Sequence, residues 1–144
     1  MTGCAFCRIA AGLEPAALVY RDDLVTAFLD ARPLFAGHVL LIPNEHHGTL
    51  ADLPTPLLSP LFAAAQRLAL AVERGMQAEG TFVAMNNRVS QSVPHLHIHI
   101  VPRRRKDGLR GFFWPRFPYK DSTEMEAARS AISEAIEGIG LGGW

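Results

Sequence analysis

The sequence predicts an α+β fold: an antiparallel sheet of about five strands, one long helix packed on it and a C-terminal helix beside it. Three observations carry that prediction. Short segments rich in β-branched and aromatic residues recur through the first two thirds of the chain, a helical apolar stripe follows Thr55, and a second stripe follows Thr123. No repeat of roughly 20 to 50 residues is present and no stretch has linker composition, so residues 1–144 are read as a single domain.

The elements follow in order. Residues 18–21 and 24–29 read as strands separated by Asp22 and Asp23, a hairpin pattern. Residues 39–42 follow Gly37 and His38 and are stopped by Pro43 and Asn44, which suits a short buried strand. Thr55 then reads as an N-cap with Pro56 at the first helical position, and Leu57, Leu58, Leu61, Phe62, Ala65, Leu68, Ala69 and Val72 recur at helical spacing. That predicts a helix over 56–78, ended by Gly80. Residues 81–85 and 95–101 return to strand character. Near the end, Thr123 and Glu126 have capping-box spacing, and Met125, Ala128, Ile132, Ala135, Ile136 and Ile139 form one stripe.

Charge excludes some functions. With 14 basic and 14 acidic side chains, the chain has no global footprint for nucleic acid or an anionic membrane, so any phosphate recognition is local. The first residues contain no apolar signal region, and no stretch reaches the roughly 18 to 20 apolar residues of a membrane span. A cytoplasmic protein is expected. Its two cysteines, Cys4 and Cys7, stand too close to staple distant elements, and in a reducing compartment they point to metal binding or redox work.

The informative stretch is Pro94-His95-Leu96-His97-Ile98-His99-Ile100-Val101, in which histidine alternates with aliphatic residues. As a strand it puts three imidazoles on one face, about 6.7 Å apart in succession, and Leu96, Ile98 and Ile100 on the other. Two chemistries use such a row: metal ligation, and nucleophilic or acid–base catalysis near neutral pH. A catalytic zinc site would want a nearby carboxylate as base, and none lies between Gly80 and Lys106. Attack on phosphorus instead wants one aimed imidazole and donors for phosphoryl oxygens, which Asn87, Gln91, Ser92 and His99 supply.

With these residues the chain resembles the histidine-triad (HIT) family, whose signature, three histidines alternating with apolar residues and then two more apolar residues, is matched by residues 95–101. Upstream, the blocks around Cys4-x-Phe6-Cys7, Phe28-Leu29-Asp30 and Gly37-His38 to His46 occur in the order seen in bacterial members. The resemblance implies a HIT-like sheet and a homodimer. It implies His97 as nucleophile on a nucleotide α-phosphorus, His99 bonded to a phosphoryl oxygen, and Gln91, Ser92 and Asn87 around the phosphate. Asp30 matches a ribose-binding carboxylate, or is a turn-forming residue that ends a strand. Structural zinc held by Cys4, Cys7, His46 and His95 is implied as well, with His47 as a substitute for His46 and residues 1–12 as a knuckle. Between Asn87 and Gln91 the chain has only Arg88, Val89 and Ser90, where many relatives carry a longer glycine-rich loop.

The expected activity is therefore nucleotidyl hydrolysis or transfer on a dinucleoside polyphosphate or an adenosine phosphoramidate, with no metal needed for catalysis. The competing reading is a non-catalytic nucleotide-binding protein with the same pocket. In the basic and aromatic C-terminal region, 103–144, the run Arg103 to Lys106 is either a solvated loop or a polyphosphate attractor. The aromatic segment 108–119 is expected to pack on a dimer partner or over the nucleotide site, the alternative being core filling between the sheet and the C-terminal helix.

Overall fold

In the computed structural model, which describes residues 3–110 and 115–140, the chain divides into two compact units, Met1–Asp107 and Gly108–Trp144. The first runs α1 (Ala5–Ala10), β1 (Leu18–Arg21), β2 (Val25–Leu29), β3 (Val39–Pro43), a 3₁₀ turn (Leu50–Asp52), α2 (Thr55–Gly75), β4 (Gly80–Ala84) and β5 (Ile98–Arg103). All neighbouring strands pair antiparallel in the order β1-β2-β3-β5-β4. The five-stranded α+β architecture expected from the sequence is present.

Side-chain alternation gives the sheet two different faces. Val25, Ala27, Val39, Leu41, Leu96, Ile98 and Ile100 point to one side and are sealed by Leu61, Ala65, Leu68 and Val72 of α2. By length and composition α2 could cross a membrane, which corrects the expectation that no stretch is so apolar. Its buried stripe instead makes it a core helix. Phe28, Leu40 and Ile42 point the other way, onto Phe6 and Ile9 of α1. The second face receives the histidines.

Several boundaries differ from the sequence reading. Strand β5 begins at Ile98 rather than His95: its pairing with β3 stops at Leu41 and Ile98, and beyond that point the Pro43 carbonyl accepts from the His95 ring. Helix α2 is N-capped by Pro54, with Thr55 already helical, and it stops at Gly75 rather than running to 78. There Gln77 takes a left-handed φ of 51°, with Ala78 N–H bonded to Glu73 O at 2.8 Å and Gln77 N–H to Arg74 O at 3.2 Å. That is a Schellman ending built without glycine; Gly80 opens β4 instead. The cysteine segment is itself a helix, α1, capped by the Cys4 side chain.

The second unit contains α3 (Ser122–Ile139). Its cap is Asp121, whose side chain accepts from Glu124 N–H at 2.9 Å, so the N-cap lies two residues before the expected Thr123. None of its side chains is buried. In the aromatic segment, residues 111–114 lie outside the described residues, while Phe117 and Tyr119 are exposed.

Candidate functional site

The tautomer of each imidazole on the second face follows from its partners. His97 Nδ1 lies 2.8 Å from the carbonyl of His95, and a carbonyl can only accept, so Nδ1 carries the proton and Nε2 carries the lone pair. Phe6 stands edge-on to the His97 ring at 5.1 Å and to Phe28 at 5.4 Å, which fixes the ring in an apolar bracket.

His99 is organised by a residue to which the sequence reading gave no role. Leu34 N–H donates to His38 Nδ1 at 3.1 Å, so the His38 proton sits on Nε2, which donates to His99 Nδ1 at 2.9 Å. The proton of neutral His99 is thereby confined to Nε2, as a donor beside His97, whose ring centroid is 5.0 Å away. Burial, then the charges of His97 and His38, push His99 down to about 4, and burial likewise lowers His38. Both are neutral at pH 7. A signal for His38 was in the sequence: a histidine opening an otherwise apolar buried strand, directly after a glycine. Gly37 adopts a φ of 93°, and a Cβ there would meet Met76 Cγ at 2.5 Å, so glycine is needed to deliver His38.

These groups border a cleft of about 620 Å³ whose lining includes Phe6, Ile9, Phe28, Leu29, Asp30, Ser92, His97 and His99. Asp30 performs the turn function, accepting Arg32 N–H on Oδ1 at 2.9 Å, yet it also lines the cleft with Oδ2 3.8 Å from His38 Nε2. Ser92 joins the cleft. Asn87 and Gln91 are engaged elsewhere: Asn87 Oδ1 accepts from Leu50 N–H, and the Gln91 amide accepts from Arg88 N–H and donates to the Gly48 carbonyl. They brace the short loop, in which Arg88 and Ser90 hold left-handed φ values of 70° and 62° without being glycine.

Four metal-ligating atoms meet beside the triad: Cys4 Sγ, Cys7 Sγ, His46 Nδ1 and His95 Nδ1. His95 Nε2 lies 2.8 Å from the Pro43 carbonyl and must donate, which leaves Nδ1 unprotonated toward the thiols at 3.4 and 3.5 Å. Burial drops His95 to about 4, so that lone pair stays available. Tetrahedral zinc with ordinary bond lengths sets sulfur and nitrogen ligands about 3.6 Å apart, and Cys7 Sγ to His46 Nδ1 is 3.2 Å. The donor set fits zinc. Burial, then Cys4, raises the Cys7 thiol. His47 pairs with Glu45 instead.

The basic run is not at this site. Counted along β5, Arg103 is six residues from His97, about 20 Å of extended chain. Arg103 is paired with Asp107, Arg105 with Glu79, and Arg104 with the Met76 carbonyl. The run closes the β5 end rather than reaching for phosphate.

Comparison with known proteins agrees with this geometry. The HIT domain matches residues 12–106. A HIT-like protein of Mycobacterium tuberculosis is 37% identical over 125 residues, 83% of this chain and 87% of its own. An adenylylsulfatase of Arabidopsis thaliana is 32% identical over 108 residues, 74% of this chain and 55% of the plant protein. An asymmetrical bis(5'-nucleosyl)-tetraphosphatase of Schizosaccharomyces pombe is 34% identical over 90 residues, 61% of this chain and 50% of its own. Among solved structures, a Streptococcus mutans protein superposes with a TM-score of 0.84 at 34% identity, covering 94% of this chain and 87% of its own. A zinc-bound histidine triad family protein from Mycobacterium smegmatis gives 0.71 at 34% identity, over 93% of this chain and 98% of its own. With the motif, the fold and the matched residues in agreement, this chain belongs to the HIT domain family.

Proposed function

We propose that the protein hydrolyses or transfers nucleotidyl groups through a covalent intermediate on His97. The observation that carries this reading is the His95 carbonyl bonded to His97 Nδ1, which leaves Nε2 with a lone pair in a cleft that also presents His99. In the first step Nε2 attacks the α-phosphorus, a P–N bond forms, and the bond to the leaving group breaks with its electron pair going to that group. In the second, water attacks the phosphorus, the P–N bond breaks, neutral His97 is restored, and a nucleoside monophosphate departs as the water's proton is lost to solvent.

His99 Nε2–H donates to a phosphoryl oxygen, where charge accumulates in both steps. His38 positions it, Ser92 adds a hydroxyl donor, and Asp30 accepts from the ribose. Asn87 and Gln91 hold the loop that borders the phosphate. Two in-line displacements thus replace one difficult attack by water, with positioning contributing most of the rate. The named activities of the plant and yeast relatives support dinucleoside polyphosphates and mixed anhydrides as substrates.

Zinc on Cys4, Cys7, His46 and His95 would be structural, tying α1 to the triad without entering the reaction. A reducing cytoplasmic setting suits two free thiols kept as ligands. A homodimer would join two sheets at an open edge, and β1 and β4 are the edges available. The test is turnover of wild type and His97→Ala on diadenosine tri- and tetraphosphate, an adenosine phosphoramidate and an adenylylated amine. Monophosphate release by wild type, reduced in the variant by about three orders of magnitude or more, supports the mechanism; equal rates refute it.

A further inference from the structure

The cleft has a second end that the phosphate chemistry leaves without a role. Phe6 of α1 stands against His97, Ile9 follows one turn later, and beyond the helix the wall continues through Glu14, Pro15, Ala16 and Ala17. Glu14 is thus a carboxylate set into an apolar wall. Its Oε2 accepts from Arg8 Nε at 2.8 Å, which holds the carboxylate in place, and its side chain is 39% exposed. A carboxylate offers about four lone-pair positions, so Arg8 Nε leaves most of them open to a ligand.

We infer that Glu14 makes this site selective for guanine nucleotides over adenine nucleotides. The inference rests on the nucleotidyl-transfer reading, which puts the phosphorus at His97. With the ribose at Asp30, the base enters the apolar end between Ile9 and Leu29 and turns its Watson–Crick edge to Glu14. Guanine presents there N1–H and the N2 amino group, two parallel donors that match two carboxylate oxygens. Adenine presents one amino donor beside the N1 lone pair, which a carboxylate oxygen repels. One base is attracted and the other rejected by the same group. Partial exposure of the carboxylate sets the discrimination at about tenfold, well below that of a fully buried donor–acceptor set.

Calorimetric titration of the full chain with GMP, IMP and AMP tests this without requiring turnover. Wild type is expected to bind GMP about tenfold more tightly than AMP, with IMP between them because it keeps N1–H and lacks the N2 amino group. In Glu14→Gln the side chain offers one acceptor and one donor, the pattern of the adenine edge, so the GMP preference collapses to about one or inverts. Equal affinity of wild type for GMP and AMP overturns the inference and leaves the His97 mechanism standing. So does a preference that survives Glu14→Gln. Binding of none of the three nucleotides overturns the nucleotidyl reading, and this inference with it. The IMP comparison is made on wild type, so it decides even where the variant folds poorly.

Discussion

A single ring nitrogen controls the donor at the proposed phosphate site. His99 presents Nε2–H only while His38 donates to its Nδ1, and His38 can donate only because Leu34 N–H occupies its own Nδ1. His38→Phe keeps a ring in the space and removes the donor, freeing His99 to place its proton on either nitrogen. We expect kcat to fall by about 10 to 100-fold with little change in KM, since the lost interaction is one strengthened in the transition state; a KM effect alone would show that His38 only shapes the pocket. His99 also sets a pH window. Its folded value of about 4 lies below the ordinary 6.5, so between those limits the unfolded chain binds more protons than the native one. Neutral His99 therefore costs no stability above pH 6.5 and progressively more as pH falls toward 4. NMR titration should give a His99 midpoint near 4, with Tm declining over the same interval; a midpoint at 6.5 would contradict the packing described here.

At the scale of elements, the sequence was most legible where a periodicity was unopposed. Alternation of Leu96, Ile98 and Ile100 with the histidines gave the correct faces, and the stripe of α2 contains all four of its buried residues, Leu61, Ala65, Leu68 and Val72, although Phe62, also in the stripe, is exposed. Ends were less legible because they depend on single hydrogen bonds. Nothing in the local pattern says that the Pro43 carbonyl will take the His95 ring or that Gln77 will adopt the conformation usually left to glycine. The role of His38 was hidden for a related reason: its partner is 61 residues away. Gln77 gives the clearest prediction at this scale. Since a left-handed residue with a Cβ costs roughly 1 kcal/mol, partly offset by the greater unfolded entropy of glycine, Gln77→Gly should stabilise by about 0.5 to 1 kcal/mol. That is a rise of about 1 to 4 °C in Tm by calorimetry; a fall would show that the Gln77 side chain holds the α2 end.

For the whole molecule, the largest dependency runs from the N-terminus to the triad. Cys4 and Cys7 lie on or beside α1, His46 follows β3, and His95 precedes β5, so one cation would link three distant parts of the chain next to the nucleophile. Purified wild type should carry about one zinc per chain. Cys4→Ser and Cys7→Ser should lose it by elemental analysis and melt at lower temperature, while unchanged metal content would remove the assignment. This arrangement was readable in the sequence because the four ligands fall inside motif blocks, whereas Glu14, between blocks, drew no notice until the cleft placed it in a wall. The central claim is the bond to His97, and intact-mass and peptide analysis of enzyme mixed with substrate and quenched in neutral denaturant reads it directly. A nucleotidyl adduct on His97 in wild type, absent from His97→Ala, is the predicted result; turnover with the adduct on another residue, or persisting in His97→Ala, would contradict the account.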